Sequence, residues 1–236
     1  MLFDLVRAFR AFAEDEITSM QMATLLAQTA GVVFALLFGL SFHECAHAWM
    51  AKKLGDNTAW NHGRVTLNPG KHLDVVGSLM FLVVGFGYAK PVPVNQRNFK
   101  NYKKGLALTA VAGPVANLIL ALIFALFYNI ANLIFIYLPN DFSGLILIFL
   151  QTIAIRNVGL AVFNLLPIPP LDGSRILDLF LPYKASRFLA QYGRYILYGV
   201  MALLFVGVLA IPLEMLTFLI YKGFLFLTGL PFRLFL

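Results

Sequence analysis

Residues 23–50 form an apolar run long enough to cross a bilayer, yet its second half contains His-Glu-Cys-Ala-His at positions 43–47. A hydrocarbon core of about 30 Å is spanned by about 20 apolar residues in a helix. Imidazoles and a carboxylate are costly at that depth, so an ionisable residue within a span is read first as functional. Further apolar runs occupy 106–138, 145–166, 195–211 and 213–236. Only 12% of the chain is charged and 60% is hydrophobic, whereas soluble domains carry about 25% charged residues. The patterning predicts an all-α membrane protein: a polytopic bundle of about five to six transmembrane helices in one domain.

The net charge of +7 does not point to nucleic acid. The basic residues lie between the apolar runs, where they set topology and meet anionic lipid headgroups. Lys52, Lys53, Arg64 and Lys71 precede the apolar segment 75–95, and Lys90, Arg97, Lys100, Lys103 and Lys104 lie at its end and beyond. A crossing there would put one basic cluster outside, so 75–95 is expected to be a short re-entrant, β-like loop. The linker 139–144, "PNDFSG", has no Lys or Arg and is expected outside; the stretch with Arg175, Lys184, Arg187 and Arg194 is expected inside. Together these give about five crossings, with the N-terminus outside, the C-terminus inside and Glu214 near the external ends of its spans. The segment 1–21 lacks the pattern of a cleavable signal. Leu2, Leu5, Phe9 and Phe12 recur at helical spacing, which suits a helix on the membrane surface or packed against the protein. Cys45 is the single cysteine, so no disulfide forms within the chain.

Histidines at i and i+4 share one helix face, and both imidazoles can reach one Zn²⁺. Glu44, next to the first of them, is placed to act as general base. Chance would produce HExxH about 0.001 times in this composition. Cys45 is turned about 200° from both histidines and reads as a small hydrophobe. His62 and His72 lie in a polar loop and read as solvated or structural. Arg156 and Asn157, within a span, read as groups that bridge helices or line a wet cavity. A catalytic zinc needs a third protein ligand and an open position. The motif lies within about 14 Å of Lys52 at 1.5 Å per residue, so that ligand is sought on the cytoplasmic side. Asp172 is favoured: it follows a returning span, in a stretch broken by Pro167, Pro169 and Pro170, with Gly173 permitting a tight turn. Asp56 and Asp74 remain open.

Three elements in order, "HECAH", "GPVAN" at 113–117 and "NLLPIPPLDG" at 164–173, resemble the site-2 proteases, intramembrane zinc metalloproteases. The loop "GRVTLNPGKHLDVVGS" and "GYAKPVPVN" are similar to a compact branch of that family, and the likeness runs from about residue 42 to 173. The resemblance implies one zinc per chain, held by His43, His47 and Asp172, with Glu44 as the base. It further implies that Asn164 contacts the substrate backbone or the developing oxyanion, and that Gly113, Pro114 and Asn117 shape and line the adjoining substrate site. The implied activity is hydrolysis of peptide bonds within or beside a transmembrane helix of membrane-protein substrates, with the bilayer as partner and no nucleic acid. The segment near 75–95 would then pair with an unwound substrate by strand addition or simply line the site. The stretch between the first and third motifs leaves no room for the PDZ domain of larger relatives. The expected organisation is a single domain, 1–236, with an amphipathic segment 1–21, a catalytic core 23–173 and C-terminal helices 174–236. The alternative is a non-catalytic zinc-binding membrane protein, a pseudoprotease or metal-handling carrier. That reading gives Glu44 no task, and a transporter would show inverted halves or several intramembrane carboxylates.

Overall fold

Within hydrocarbon a single segment satisfies all its backbone groups only as a helix, and the apolar runs of this chain fold accordingly. The computed structural model describes residues 2–14, 17–74, 76–78, 89–140 and 142–232. Helix α1 (Leu2–Ala13) is the expected amphipathic element. Thr18 and Gln21 cap the next helix reciprocally, satisfying donors that a helix start leaves bare. That helix, α2 (Ser19–Phe34), continues through a π-helical turn (Ala35–Gly39) into α3 (Leu40–Lys53). Gly55, at φ +108°, then ends α3 in the left-handed conformation that glycine adopts freely. The later elements are α4 (Tyr102–Tyr137), α5 (Ser143–Asn164), the short α6 (Asp172–Asp178), α7 (Tyr183–Phe205) and α8 (Ala210–Gly229).

Small residues let the helices approach closely where no water is available to drive association. Ala121 and Ala125 of α4 pack with Ala154, Val158 and Val162 of α5 around the buried Tyr221 of α8. A Cβ on Gly31 would stand 2.9 Å from Thr152, so α2 meets α5 at a glycine. Side-chain pairing gives the helix directions. Gly31 meets Thr152 and Gly39 meets Asn157, so α2–α3 runs parallel to α5. Asn117 of α4 bonds Asn157, while Asn129, further along α4, donates to Leu225 O at 3.0 Å and Thr228 Oγ1 at 2.8 Å. Gly159 faces Thr217, and Ala154 faces Tyr221. Helix α8 is therefore parallel to α4 and antiparallel to α5.

Two topological expectations change. Among the described residues four helices, not five or six, are long and apolar enough to cross a membrane: 19–53, 102–137, 143–164 and 210–232. The apolar run expected at 195–211 is interrupted by a turn after Phe205, where Gly207 takes φ +88°. Its helix, α7, carries Lys184, Arg187 and Arg194 beside exposed Tyr183, Phe188, Tyr195 and Tyr198, a composition suited to the membrane surface. Glu214 consequently lies at the end of the bundle that holds Asn164, and Phe232 lies with the turn after Tyr137. The re-entrant reading of 75–95 falls largely on residues 75 and 79–88, outside the described residues. Leu73 and Ala89 flank that stretch and form an antiparallel bridge. No strand forms among the described residues.

In a Cys45→Ala background, single cysteines at Asn140 and Phe232 are expected to react with an impermeant thiol reagent from the same side, and one at Lys184 from the other. Labelling of Phe232→Cys together with Lys184→Cys would mean that α7 crosses the membrane and that α8 is not parallel to α4.

Candidate active site

One turn of α3 separates His43 from His47, and both rings point into the space between α3, α4 and α6 with their planes perpendicular. Their Nε2 atoms lie 3.0 Å apart, and Asp172 Oδ2 lies 3.1 Å from one and 3.2 Å from the other. All three residues are buried. Asp172 opens α6, and a Cβ on Gly173 would collide with Leu165 O. Only glycine lets that turn close against the end of α5.

The hydrogen bonds fix what these atoms can be. His47 Nδ1 lies 2.7 Å from Thr109 O, a carbonyl that only accepts, so Nδ1 donates and the neutral ring leaves Nε2 a bare lone pair. His43 Nδ1 lies 2.6 Å from Asn117 Oδ1 and donates in the same way. Two imidazole lone pairs and a carboxylate oxygen therefore converge, and Asp172 Oδ2 has no hydrogen-bond partner among the described residues. Such a group of acceptors can hold a metal ion. Tetrahedral Zn²⁺ with ligands at 2.0–2.2 Å has ligand edges of about 3.3 Å, close to the triangle observed. The space also fits: a Cβ on Gly113 would stand 2.5 Å from His47 Nε2 and 2.6 Å from His43 Cε1. Gly113 keeps the cradle open, and the adjoining Pro114 withholds one backbone N–H inside α4.

Asn117 supports the first histidine. Its Nδ2 donates to Gly39 O and to Asn157 Oδ1, each at 3.0 Å, which turns Oδ1 toward His43 and leaves no amide hydrogen for a substrate. Asn164 donates its amide to Leu160 O, one turn back in its own helix. Glu44 is half-buried and accepts from Val92 N at 3.2 Å. The segment carrying Val92 is tied down around the site. Arg64 donates to Lys90 O, Lys90 N donates to His72 O at 2.7 Å, and Asn95 N donates to Asp56 Oδ2 at 2.7 Å.

The two alternative carboxylates have other tasks. Asp56 is fully buried and also accepts from Thr58 and from Asn98 Nδ2. Burial alone would raise its pKa, but the bonds from Thr58, Asn98 and Asn95 hold it below the ordinary carboxylate value. Asp74 accepts from Gly77 N. His72 is structural: it is buried, donates Nε2–H to Thr66 O at 2.8 Å, and is pushed by that burial toward its neutral form. His62 and Arg156 are exposed, and Cys45 is half-buried. The sequence does not reveal Val92 as a partner of Glu44 or Asn117 as a partner of Asn157. Two asparagines inside apolar runs are the one signal it carries for that pair.

Comparison with known proteins identifies the family. The description "Peptidase family M50" matches residues 127–208. YwhC of Bacillus subtilis (strain 168), named as a candidate zinc metalloprotease, is 45% identical over 64% of this chain and 69% of its own length. Rip2 of Mycolicibacterium smegmatis (strain ATCC 700084 / mc(2)155) is 32% identical over 67% of this chain and 60% of its own length. MJ0611 of Methanocaldococcus jannaschii (strain ATCC 43067 / DSM 2661 / JAL-1 / JCM 10045 / NBRC 100440) is 33% identical over 59% and 64%. Both are likewise named as candidate zinc metalloproteases. The chain spans 60–69% of the length of these relatives. No solved structure matches. The chain is a multi-pass membrane protein and belongs to peptidase family M50, the site-2 proteases.

Gly113→Ala is expected to abolish stoichiometric metal binding in the purified protein while helix content stays unchanged, because its Cβ would fill the cradle. Asp172→Ala should weaken binding strongly and Asp56→Ala should not; elemental analysis after desalting checks both, and full occupancy in Asp172→Ala would reopen the third ligand. For Asp56, a folded pKa below the unfolded value of about 3.9 means that its contribution is complete above that pH and is lost as pH falls toward the folded value. The gap in thermal midpoint between wild type and Asp56→Asn in detergent should therefore hold from pH 7 to 5 and shrink below about pH 4.

Proposed function

We propose that this protein is an intramembrane zinc metalloendopeptidase that cuts peptide bonds within or next to transmembrane helices of membrane-protein substrates. The observation that carries the reading is the convergence of His43 Nε2 and His47 Nε2, on a candidate membrane span, with Asp172 Oδ2 just beyond another; Glu44 adjoins His43 on α3. The relatives' names support zinc over other divalent ions. Zinc, when bound, supplies a Lewis acid that polarises the scissile carbonyl and makes water a better nucleophile.

The chain's own residues supply the rest. His43, His47 and Asp172 would hold the ion through Nε2, Nε2 and Oδ2. Glu44 takes a proton from the attacking water and passes it to the leaving amine, with the Val92 amide holding one carboxylate oxygen in place. Asn164, at the C-terminal end of α5 before the Asp172 loop, is the proposed contact for the substrate backbone. A helical peptide bond is shielded by its neighbours, so the substrate unwinds locally before it is cut. We place the site toward the cytoplasmic face of the cell membrane, because Lys52 and Lys53 end the helix that carries it. The whole of 1–236 acts as one domain, with 23–173 as the catalytic core.

Glu44→Gln keeps the size of the side chain but cannot take a proton. It is expected to retain zinc and membrane insertion while cleavage of a co-expressed single-span substrate drops by at least about 100-fold, since a general base is worth 10²–10⁴ in rate. A zinc-loaded Glu44→Gln that cleaves at the wild-type rate would remove the protease mechanism and leave the zinc-binding carrier.

A further inference from the structure

Asn157 is fully buried in α5, and its hydrogen bonds lead to the metal centre through one intermediary. Its Nδ2 donates to Ile153 O at 2.9 Å. A carbonyl only accepts, so the opposite side of the amide, Oδ1, must face Asn117, where it accepts from Nδ2 at 3.0 Å. Asn117 therefore meets two acceptors, Asn157 Oδ1 and Gly39 O, and commits both amide hydrogens to them. Its Oδ1 is left for His43. An oxygen at that place requires a hydrogen on His43 Nδ1, and the neutral ring then offers Nε2 as a lone pair. Gly39 makes the approach possible, because a Cβ there would stand 2.6 Å from Asn157 Oδ1.

We propose that Asn157 is a positioning residue that sets, through Asn117, the metal-binding tautomer and orientation of His43. The inference rests on the zinc reading of the site and extends it from the ligands to a third helix. The environment makes the relay effective. In hydrocarbon no water replaces a lost partner, so without the Asn157 oxygen one Asn117 hydrogen is bare. Asn117 re-satisfies it by turning, and its oxygen leaves His43. Groups that orient metal-binding histidines are typically worth 10–100-fold in metal affinity, and Asn157, one step further out, belongs at the lower end.

The test is zinc affinity of the purified full-length chain in detergent, measured by chelator competition. Asn157→Leu and Asn157→Ser should each weaken zinc binding roughly tenfold, with helix content and gel-filtration profile as in wild type. Asn157→Asp should bind as wild type does: a carboxylic acid there keeps an oxygen toward Asn117 and offers its hydrogen to Ile153 O. The double variant Asn117→Leu with Asn157→Leu should be no weaker than Asn117→Leu alone, since Asn157 acts only through Asn117. Wild-type affinity in Asn157→Leu or Asn157→Ser overturns the proposal, as does full additivity in the double variant. If Asn157→Leu misfolds, the Ser and Asp variants decide: equal loss in both overturns the relay. Absence of zinc from the wild-type protein would overturn the metal reading itself, whereas zinc-replete wild type with unaffected variants overturns this inference alone.

Discussion

Two imidazole nitrogens that face each other as lone pairs, 3.0 Å apart and beside a carboxylate oxygen, repel unless a cation stands between them. The rest of the structure serves that arrangement. Each ring is held by its far nitrogen, His47 by a backbone carbonyl of α4 and His43 by Asn117, so neither can relieve the repulsion by moving its proton to Nε2. A buried acceptor cluster of this kind is destabilising without its ion. The fold supports it with the packing of α3 against α4 and with a third helix that completes the polar network.

Close approach of helices is the second requirement, and it explains the placement of small residues. Gly113 clears the cradle, Gly39 admits Asn157, and Gly31 lets α2 lie against Thr152. Ala121, Ala125 and Ala154 do the same between α4 and α5. In a soluble core these positions would forgo apolar area worth about 25 cal/mol per Å². In lipid that loss is small, because tails solvate a leucine as well as a neighbouring helix does, and close packing with hydrogen bonds between helices counts for more. The π-helical turn Ala35–Gly39 fits the same logic: it lies immediately before α3, and its last carbonyl, that of Gly39, accepts a bond from Asn117 of α4.

Much of this is legible in the sequence, to an extent set by how local each feature is. His43, Glu44 and His47 follow from helical spacing alone, and the long apolar runs announce their helices. Asp172 lies 125 residues beyond His47 in sequence and can be inferred only through topology and the prolines before it; the structure brings it to the histidines. The Asn117–Asn157 pair bridges helices whose rotation about their axes no periodicity specifies. Reading 195–211 as a crossing fails for a different reason: hydropathy averages over Gly207, which turns the chain, and the run begins just after Lys184, Arg187 and Arg194, which belong to the same helix. That one error reverses the direction inferred for α8 and puts Glu214 at the wrong end of the bundle.

The loop side of the site uses backbone where the membrane side uses side chains. Pro91 and Pro93 have no N–H, so within Pro91-Val92-Pro93 the Val92 amide is the only backbone donor, and it is directed at Glu44. Substitution of the valine side chain leaves that donor in place; what can move it is the path of the chain. The path is held from both ends, by Arg64 and His72 at Lys90 and by Asp56 at Asn95 and Asn98. Asp56 is thus fully buried for a reason unrelated to metal. Its carboxylate works beside the small apolar cluster in which Phe99 and Val94 pack with Ala51 and Leu54, and it fixes the backbone that in turn holds Glu44. Glu44 is consequently governed from two directions: from α3, which sets its place beside His43, and from a loop whose geometry depends on a carboxylate 12 residues further along the chain.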